Sequence, residues 1–473
     1  MHHRLRHALA RFAPQLTGIG LPLAIVALAS WQWWRAQGYP AAAAGVRRSS
    51  GQIDQWLPVL APAALVLALL ALALYMLAWL ALMHASRHAL RSRDDLLHGF
   101  TQARRWLPGF LLLHTMLILL ALLGVLSFEL LHLLDVGPTS RAGRKGLAAA
   151  FLFSMALVVL LGLLVSDMLR FARHRPRPDP IVIMGRQLSP TQAPLLWDFV
   201  REIATRAGGS APDTLVVGLN EGFFVTEYPV VLAHGEPGPP GRVLYLPLPY
   251  LAFMDHDQAS SVIAHEMGHF IGEDTLYSTR FAPIYRRVAG AIHAIAGSDE
   301  DDPLGLRQML TTPSAWFGRS FLSRFDHAVK HWSRVREHEA DDVSRRVAGA
   351  ETAAIALLRI AALTPLVEQA RVRSQHAAEP SEGVLPLLRR LIAEHGLADP
   401  REHLQQCQPH PLDTHPPLHL RLAALGITPS PALIQASRHP APSGLLAKLG
   451  LESSAPAGCT AHSHSTVPLR AST

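Results

Sequence analysis

The chain has 473 residues, 49 % of them hydrophobic, with a formal net charge of +7 and two cysteines. Cys407 and Cys459 lie far apart without metal-type spacing, which excludes a disulfide framework and fits a reducing compartment. Much of the positive charge is arginine flanking apolar runs, which suits anionic lipid headgroups; no nucleic-acid motif is present, and no nucleic-acid partner is expected.

Four apolar segments come first in chain order, at 16–34, 57–83, 107–128 and 147–169. Each is near or above the ~20 residues that cross a bilayer. The first also has features of a signal peptide: a basic start (Arg4, Arg6, Arg11) and an "AAAA" cleavage candidate at 41–44. Its "WQWWR" at 31–35 reads instead as an interfacial anchor and favours a retained helix. Glu129 and His132 end the third run at the interface, and His114 lies deeper. The N-terminal tail, the loop before the third segment and the stretch after the fourth hold twelve arginines. The other two connections hold six basic residues. The positive-inside rule then puts the N-terminus and everything after residue 173 in the cytoplasm.

Residues 1–173 are thus expected to be a membrane domain with about four transmembrane helices. "HRPRPDP" at 174–180 is a linker, because its prolines block regular structure. Beyond it, 181–184, 214–219, 223–226 and 242–248 read as strands, 191–207 reads as an amphipathic helix, and helices dominate from 257 onward. A second domain is expected over 181–430. The tail at 431–473, rich in Pro, Ser, Ala and His, is expected to be disordered.

"SVIAHEMGHFIGED" (261–274) carries the chemistry. Positions i and i+4 of a helix lie about 40° apart, so His265 and His269 can converge on one ion. Glu266 is turned by about 100° and projects beside that ion. In this H-E-x-x-H arrangement two imidazoles bind zinc and the carboxylate takes the proton of a metal-bound water. Asp255 and Gln258 fit a capping box, and Ala259, Val262, Ile263, Met267, Phe270 and Ile271 form an apolar stripe. Gly268 costs about 1 kcal/mol against Ala; close packing behind the metal is a reason to accept that.

A catalytic zinc needs a third protein ligand. In "SRVREHEADDVSRR" (333–346), Glu337 and Asp341 share one helix face. Glu337 can complete a His2Glu site, and Asp341 can orient a ligating imidazole. The competing readings are a solvated acidic face balanced by Arg334, Arg336, Arg345 and Arg346, or ligation by His338 or Glu339. In "DTHPPLHLR" (413–421), His415 is stiffened by two prolines and, with Arg421, can stabilise an oxyanion or bind a substrate carbonyl.

"HEMGH", "EHEAD" and "THPPLHLR", in this order, resemble the integral-membrane zinc metallopeptidases of the HtpX and CAAX prenyl protease type, which are gluzincins. The resemblance covers roughly 178–426. It implies a mainly α, α+β zincin-type domain with a small sheet, carrying one Zn2+ per chain. It implies His265, His269 and Glu337 as ligands, Glu266 as catalytic base, Asp341 behind the ligands, and His415 and Arg421 near the substrate. It further suggests that "RVLYLPL" is an edge strand on which a polypeptide substrate lies extended, through Val243, Leu244, Tyr245 and Leu246. The "LNEGFFVTE" segment departs from the family's Asn-Ala-Phe pattern, so no role passes to Asn220. Prenyl-protein processing is not implied, because all four apolar segments precede the motifs.

The expected protein is a membrane-anchored zinc endopeptidase in a bacterial inner membrane, its catalytic domain cytoplasmic, acting in turnover of membrane or misfolded proteins. Two alternatives stand beside it. One is a zinc-containing binding or chaperone-like membrane protein without turnover; the other is a sensor protease with a single regulatory substrate. The oligomeric state is left open.

Overall fold

The computed structural model describes residues 18–37, 56–136, 141–173, 180–219, 222–232, 238, 241–272, 274–297, 305–376, 383–405, 416–439 and 444–451. They fall into two compact units. Unit 1 is Met1–Arg177 with Phe281–Val329, and unit 2 is Pro178–Arg280 with Lys330–Thr473.

Unit 1 is helical. It contains α1 (residues 18–37), α2 (Leu57–His88), α3 (Arg93–Val136) and α4 (Arg141–Arg173). It also holds most of α8 (Asp274–Ala296) and the first part of α9 (Leu306–Ala348). Helices α2, α3 and α4 are long and apolar enough to cross a membrane. Their outward side chains are apolar too: Leu77 is 65 % exposed and Leu152 66 %. Such surfaces suit lipid rather than water. The inner seam of α2 is small, with Ala61, Ala64, Ala68 and Ala71 buried, so neighbouring backbones approach closely. Ile25 and Ala29 of α1 pack on this seam and on Ile118, Ala121 and Val125 of α3. Gln32 donates to the Val125 carbonyl and to Glu129, 2.9 Å away, and Arg35 also reaches Glu129. The first apolar segment is therefore a packed member of the bundle, and Glu129 is engaged by α1.

Residues Phe281–Val329 differ from the expected single run of 181–430 by clustering with the N-terminal helices. The reasons are long-range. Phe317 sits among Tyr75, Trp79, Trp106 and Phe110. His114 Nδ1 lies 2.8 Å from Ser314 Oγ, which also accepts from Thr115. Arg307 pairs with Asp167 at 2.9 Å.

Unit 2 joins a small sheet to helices. Its elements in chain order are β1 (Ile181–Ile183), β2 (Arg186–Leu188), α5 (Pro194–Ala207), β3 (Thr214–Gly218), β4 (Phe224–Thr226), β5 (Val230–Leu232), β6 (Val243–Pro247), α6 (Leu248–Leu251) and α7 (His256–Ile271). The end of α9 follows, then α10 (Ala350–His376), α11 (Val384–His395), α12 (Arg401–Gln405), α13 (Leu418–Ala424), α14 (Pro431–Arg438) and α15 (Leu445–Lys448). The core lies between one face of the sheet and α5, α6, α7, α10 and α11. By composition α10 also passes as a span, but it packs against α7, α11 and α14 inside this unit. Its apolarity serves the core.

Two expectations are corrected here. The four-stranded sheet runs β2-β3-β6-β4, so β6 is interior, paired parallel to β3 and antiparallel to β4. Val243, Leu244, Tyr245 and Leu246 are fully buried, and the Tyr245 hydroxyl donates to the Met184 carbonyl at 3.2 Å. β3 pairs along the whole of β6 and β4 along Val243–Tyr245, so β6 is not the edge strand expected. The other correction concerns the tail: α14 and α15 are helices, with Leu433, Ile434, Leu445, Leu446 and Leu451 buried. Residues 452–473 lie outside the described chain.

Arg359 of α10 accounts for the order of that tail. It is 2 % exposed, and its guanidinium nitrogens donate to five oxygens. Nε reaches Ser437 O, Nη1 reaches Phe253 O and Gln258 Oε1, and Nη2 reaches the Ala436 and His439 carbonyls. A guanidinium has five N–H donors, so the set accounts for each.

Candidate metal centre

Helix α7 starts at the expected capping box. Asp255 Oδ1 accepts from the Gln258 amide at 2.8 Å, and the Gln258 side chain accepts from the Asp255 amide. Its stripe is buried as expected except for Ile271, which is 41 % exposed.

The other face of α7 meets α9 through small and polar groups. A Cβ on Gly268 would lie 2.8 Å from Ala340 Cα and 3.1 Å from Ala340 Cβ. The glycine is thus required by the approach of α9. Two turns earlier Ser261 and Ser344 hydroxyls are 2.7 Å apart, and Ser344 also donates to the Ser261 carbonyl. Sequence reasoning missed this serine pair, although Ser261 stands one helical turn before His265.

This approach brings the predicted ligands together. One donor atom each from His265, His269 and Glu337 lies within 4.8 Å of the others, the single such group of three among the described residues. His265 Nε2 is 3.5 Å from Glu337 Oε2, and His269 Nε2 is 3.6 Å from Glu337 Oε1. Tetrahedral zinc with bonds near 2.05 Å separates its ligand atoms by roughly 3.3 Å, so the donor set fits such an ion. The two imidazoles stand perpendicular, their centroids 4.9 Å apart.

Behind them, Asp341 Oδ1 lies 2.9 Å from His265 Nδ1. Arg421 of α13 donates to Asp341 in a fork, Nη2 to Oδ1 at 2.6 Å and Nε to Oδ2 at 2.9 Å. Burial pushes the Asp341 carboxyl up, but hydrogen bonds from Arg421 and His265 outweigh it and hold its pKa at about 2. Burial likewise pushes the His265 imidazole down, yet its hydrogen bonds to Asp341 and Glu337 raise it to about 9. The point between the carboxylates favours a cation. Arg421, expected near the substrate, lines a cleft with Glu266 and directs its fork at Asp341.

His265, Glu266, Asp341 and Arg421 line a cleft of about 420 Å3, bordered by Gly222 and Phe223 before β4, Tyr250 and one face of α10. Glu266 is 5 % exposed. Pro416 and Pro417 also line the cleft. His415 and Asn220 lie outside the described residues. Among the described strands β4 pairs on one side only, with β6, and it packs against α7.

Residues 235–427 match the model of peptidase family M48. A protease HtpX homologue of Desulfatibacillum aliphaticivorans is 26 % identical over 189 residues, 36 % of this chain and 55 % of the relative. One from Salinibacter ruber is 25 % identical over 222 residues, 45 % of this chain and 73 % of the relative. Protease HtpX of Shewanella piezotolerans is 28 % identical over 182 residues, 36 % of this chain and 55 % of the relative. The chain thus spans about half the length of two of these curated relatives and about three quarters of the third. The family match takes in the whole H-E-x-x-H helix, Glu337, Asp341 and Arg421. Apolar helices fit for a membrane precede it, so the chain joins such helices to a segment similar to the peptidases of family M48 and to the HtpX proteases.

Proposed function

We propose that the chain is a membrane-anchored zinc endopeptidase acting on polypeptides, its catalytic domain following the 174–180 linker on the cytoplasmic side of a bacterial inner membrane. The observation that supports this most is the convergence of two imidazoles and a carboxylate on one point, with His265 lining the same cleft as Glu266. His265, His269 and Glu337 would hold one zinc ion and leave a fourth position for water or substrate. When bound there, zinc supplies Lewis acidity that polarises a carbonyl and lowers the pKa of a water to about 7.

The protein's own groups do the rest. The Glu266 carboxylate accepts the proton of the attacking water and passes it to the leaving amine nitrogen. Asp341 accepts from His265 Nδ1–H, which fixes the tautomer that presents Nε2 to the ion. Arg421 holds Asp341 and is a positioning residue. His415, directly before the cleft-lining Pro416, is assigned the oxyanion. An extended substrate would add to the open side of β4, not to β6. Backbone pairing of this kind is tolerant of side chains and suits turnover of misfolded or membrane proteins.

The test is cleavage of an unfolded protein by detergent-solubilised wild type and Glu266→Gln, with zinc measured in both. Activity lost with one zinc retained supports the base assignment; equal cleavage by both refutes it.

A further inference from the structure

We propose that unit 1 carries a binding site for an anionic phospholipid, with the Arg324 guanidinium taking the phosphate. The site uses no residue of the metal centre and does not rest on the peptidase reading. Arg324 belongs to the first part of α9, which clusters with the N-terminal helices. Its guanidinium lies over the Trp79 ring of α2, 5.4 Å from the centroid. Other arginines of this unit have carboxylates: Arg307 pairs with Asp167, and Arg35 with Glu129. Among the described residues no carboxylate pairs with Arg324. A guanidinium on an aromatic face is held by the ring's quadrupole and keeps the N–H groups along its edge for oxygen acceptors. A phosphodiester supplies two such oxygens and the opposite charge.

The surroundings make that phosphate a lipid's. Arg324 lines a notch of about 30 Å3 with Ala85, Ser86, Gly99, Phe100 and Phe321. The apolar run of α2 stops at residue 83 and that of α3 begins at 107, so the notch sits where hydrocarbon gives way to headgroups. Between residues 84 and 105 there are five arginines against two aspartates. Arg87 is one of the five; it is exposed and stands one turn beyond Met83. The notch is too small for an acyl chain, but an apolar track runs beside it. Met76, Trp79, Met83 and Ser86, at 3, 7 and 10 residues from the first, form one stripe along α2, and Met76 is exposed. The lipid lies along this stripe, its tails on Met76 and Met83, its glycerol at the notch and its phosphate on Arg324, with Arg87 adding charge at the headgroup. A zwitterionic lipid brings an ammonium to the same arginines and binds less well. Free phosphate has the charge but gains nothing from the apolar stripe.

The experiment uses the full-length protein in detergent. Native mass spectrometry counts bound lipid during titration with phosphatidylglycerol or phosphatidylcholine of identical acyl chains, with and without inorganic phosphate. Phosphatidylglycerol should bind more tightly than phosphatidylcholine by roughly tenfold, and inorganic phosphate should not displace it. Arg324→Gln should weaken phosphatidylglycerol by about fivefold or more and leave phosphatidylcholine unchanged. Arg324→Lys keeps the charge but loses the planar fork, and should fall between the two. Arg105 is exposed and lies on the other side of α3 from Leu96 and Phe100, so Arg105→Gln removes the same charge and should leave the preference in place.

Equal affinity for the two lipids overturns the site. So does an Arg324→Gln protein that keeps its melting temperature and binds phosphatidylglycerol like wild type. A loss in Arg105→Gln as large as that in Arg324→Gln also overturns it, because the preference would then belong to overall charge. Displacement of the lipid by an equal concentration of inorganic phosphate would reveal a plain anion site and overturn the lipid assignment. If Arg324→Gln fails to fold, the two-lipid comparison and Arg324→Lys decide.

Discussion

Replacing Gly268 by alanine should loosen the metal centre more than it destabilises the fold. The new methyl would sit 2.8 Å from Ala340 Cα, where ordinary contact begins at 3.4 Å, so α9 must retreat by about 0.6 Å. Overpacking of this kind costs about 1–3 kcal/mol. The helix-propensity gain of Ala over Gly returns about 1 kcal/mol. The net loss of stability is therefore small, roughly 0–2 kcal/mol. The metal is less forgiving, because its bond lengths tolerate only about 0.2 Å. Helix α7 carries His265 and His269 while α9 carries Glu337, so the retreat falls directly on the ligand separations of 3.5 and 3.6 Å. Zinc affinity, measured by competition with a chromogenic chelator, should fall at least tenfold while the melting temperature drops by only a few degrees. Ala340→Gly in the same chain should restore part of the affinity. It removes the 3.1 Å contact to Cβ and leaves the 2.8 Å contact to Cα. Unchanged zinc affinity with a raised melting temperature would refute the reasoning, since it would mean that α9 does not press on Gly268.

Other outcomes follow from the same geometry. Asp341→Asn strips the buried Arg421 of its charge partner; it should cost about 3–5 kcal/mol of stability and 10- to 100-fold in zinc affinity, read by melting and chelator competition. In metal-free protein the His265 pKa is raised to about 9, above the ~6.5 of an unfolded chain. The folded state then holds the extra proton between these values, so stability is greatest below pH 6.5 and is lost as pH rises through 9. Zinc binding at pH 7 should accordingly release about one proton, visible as a dependence of the binding heat on the buffer's ionisation enthalpy; no dependence would contradict a protonated His265. Asp341 acts in the opposite direction: with its pKa held at about 2, its contribution is present above pH 4 and disappears as pH falls through 2. Arg359→Leu leaves several buried carbonyls without donors at roughly 1–3 kcal/mol each, and limited proteolysis should then cut first within 431–451.

What was legible in the sequence was local. The capping box, the period of α7 and the i, i+4 pairs His265/His269 and Glu337/Asp341 need no knowledge of the rest of the chain, and each stands as spaced. What depends on long-range order is not carried by local pattern. The resemblance makes "VLYL" an edge strand, yet four consecutive apolar residues fit a strand covered on both faces, where an edge strand would alternate. The Pro, Ser, Ala and His content of 431–473 suggests disorder, yet 431–438 and 445–448 are helices. The leucines there fold because Arg359, 78 residues before Ser437, binds its carbonyls. That arginine stands alone in an Ala/Leu/Ile run, which was the available clue. The attachment of Phe281–Val329 to unit 1 rests on single aromatic and hydroxyl partners some 200 residues away, which no pattern announces.

The Arg359 hub also sets a schedule. Its donors clasp Gln258, in the first turn of the helix that carries His265 and His269, and the carbonyls of Ala436, Ser437 and His439. At ~5–20 residues per second, a ribosome needs about 5–20 s to travel from Glu337 to His439. For that interval every ligand has been synthesised while the clasp at the base of α7 is still open. On the peptidase reading proposed above, the helix that carries two of the ligands receives this clasp only after the chain well beyond the third has been made.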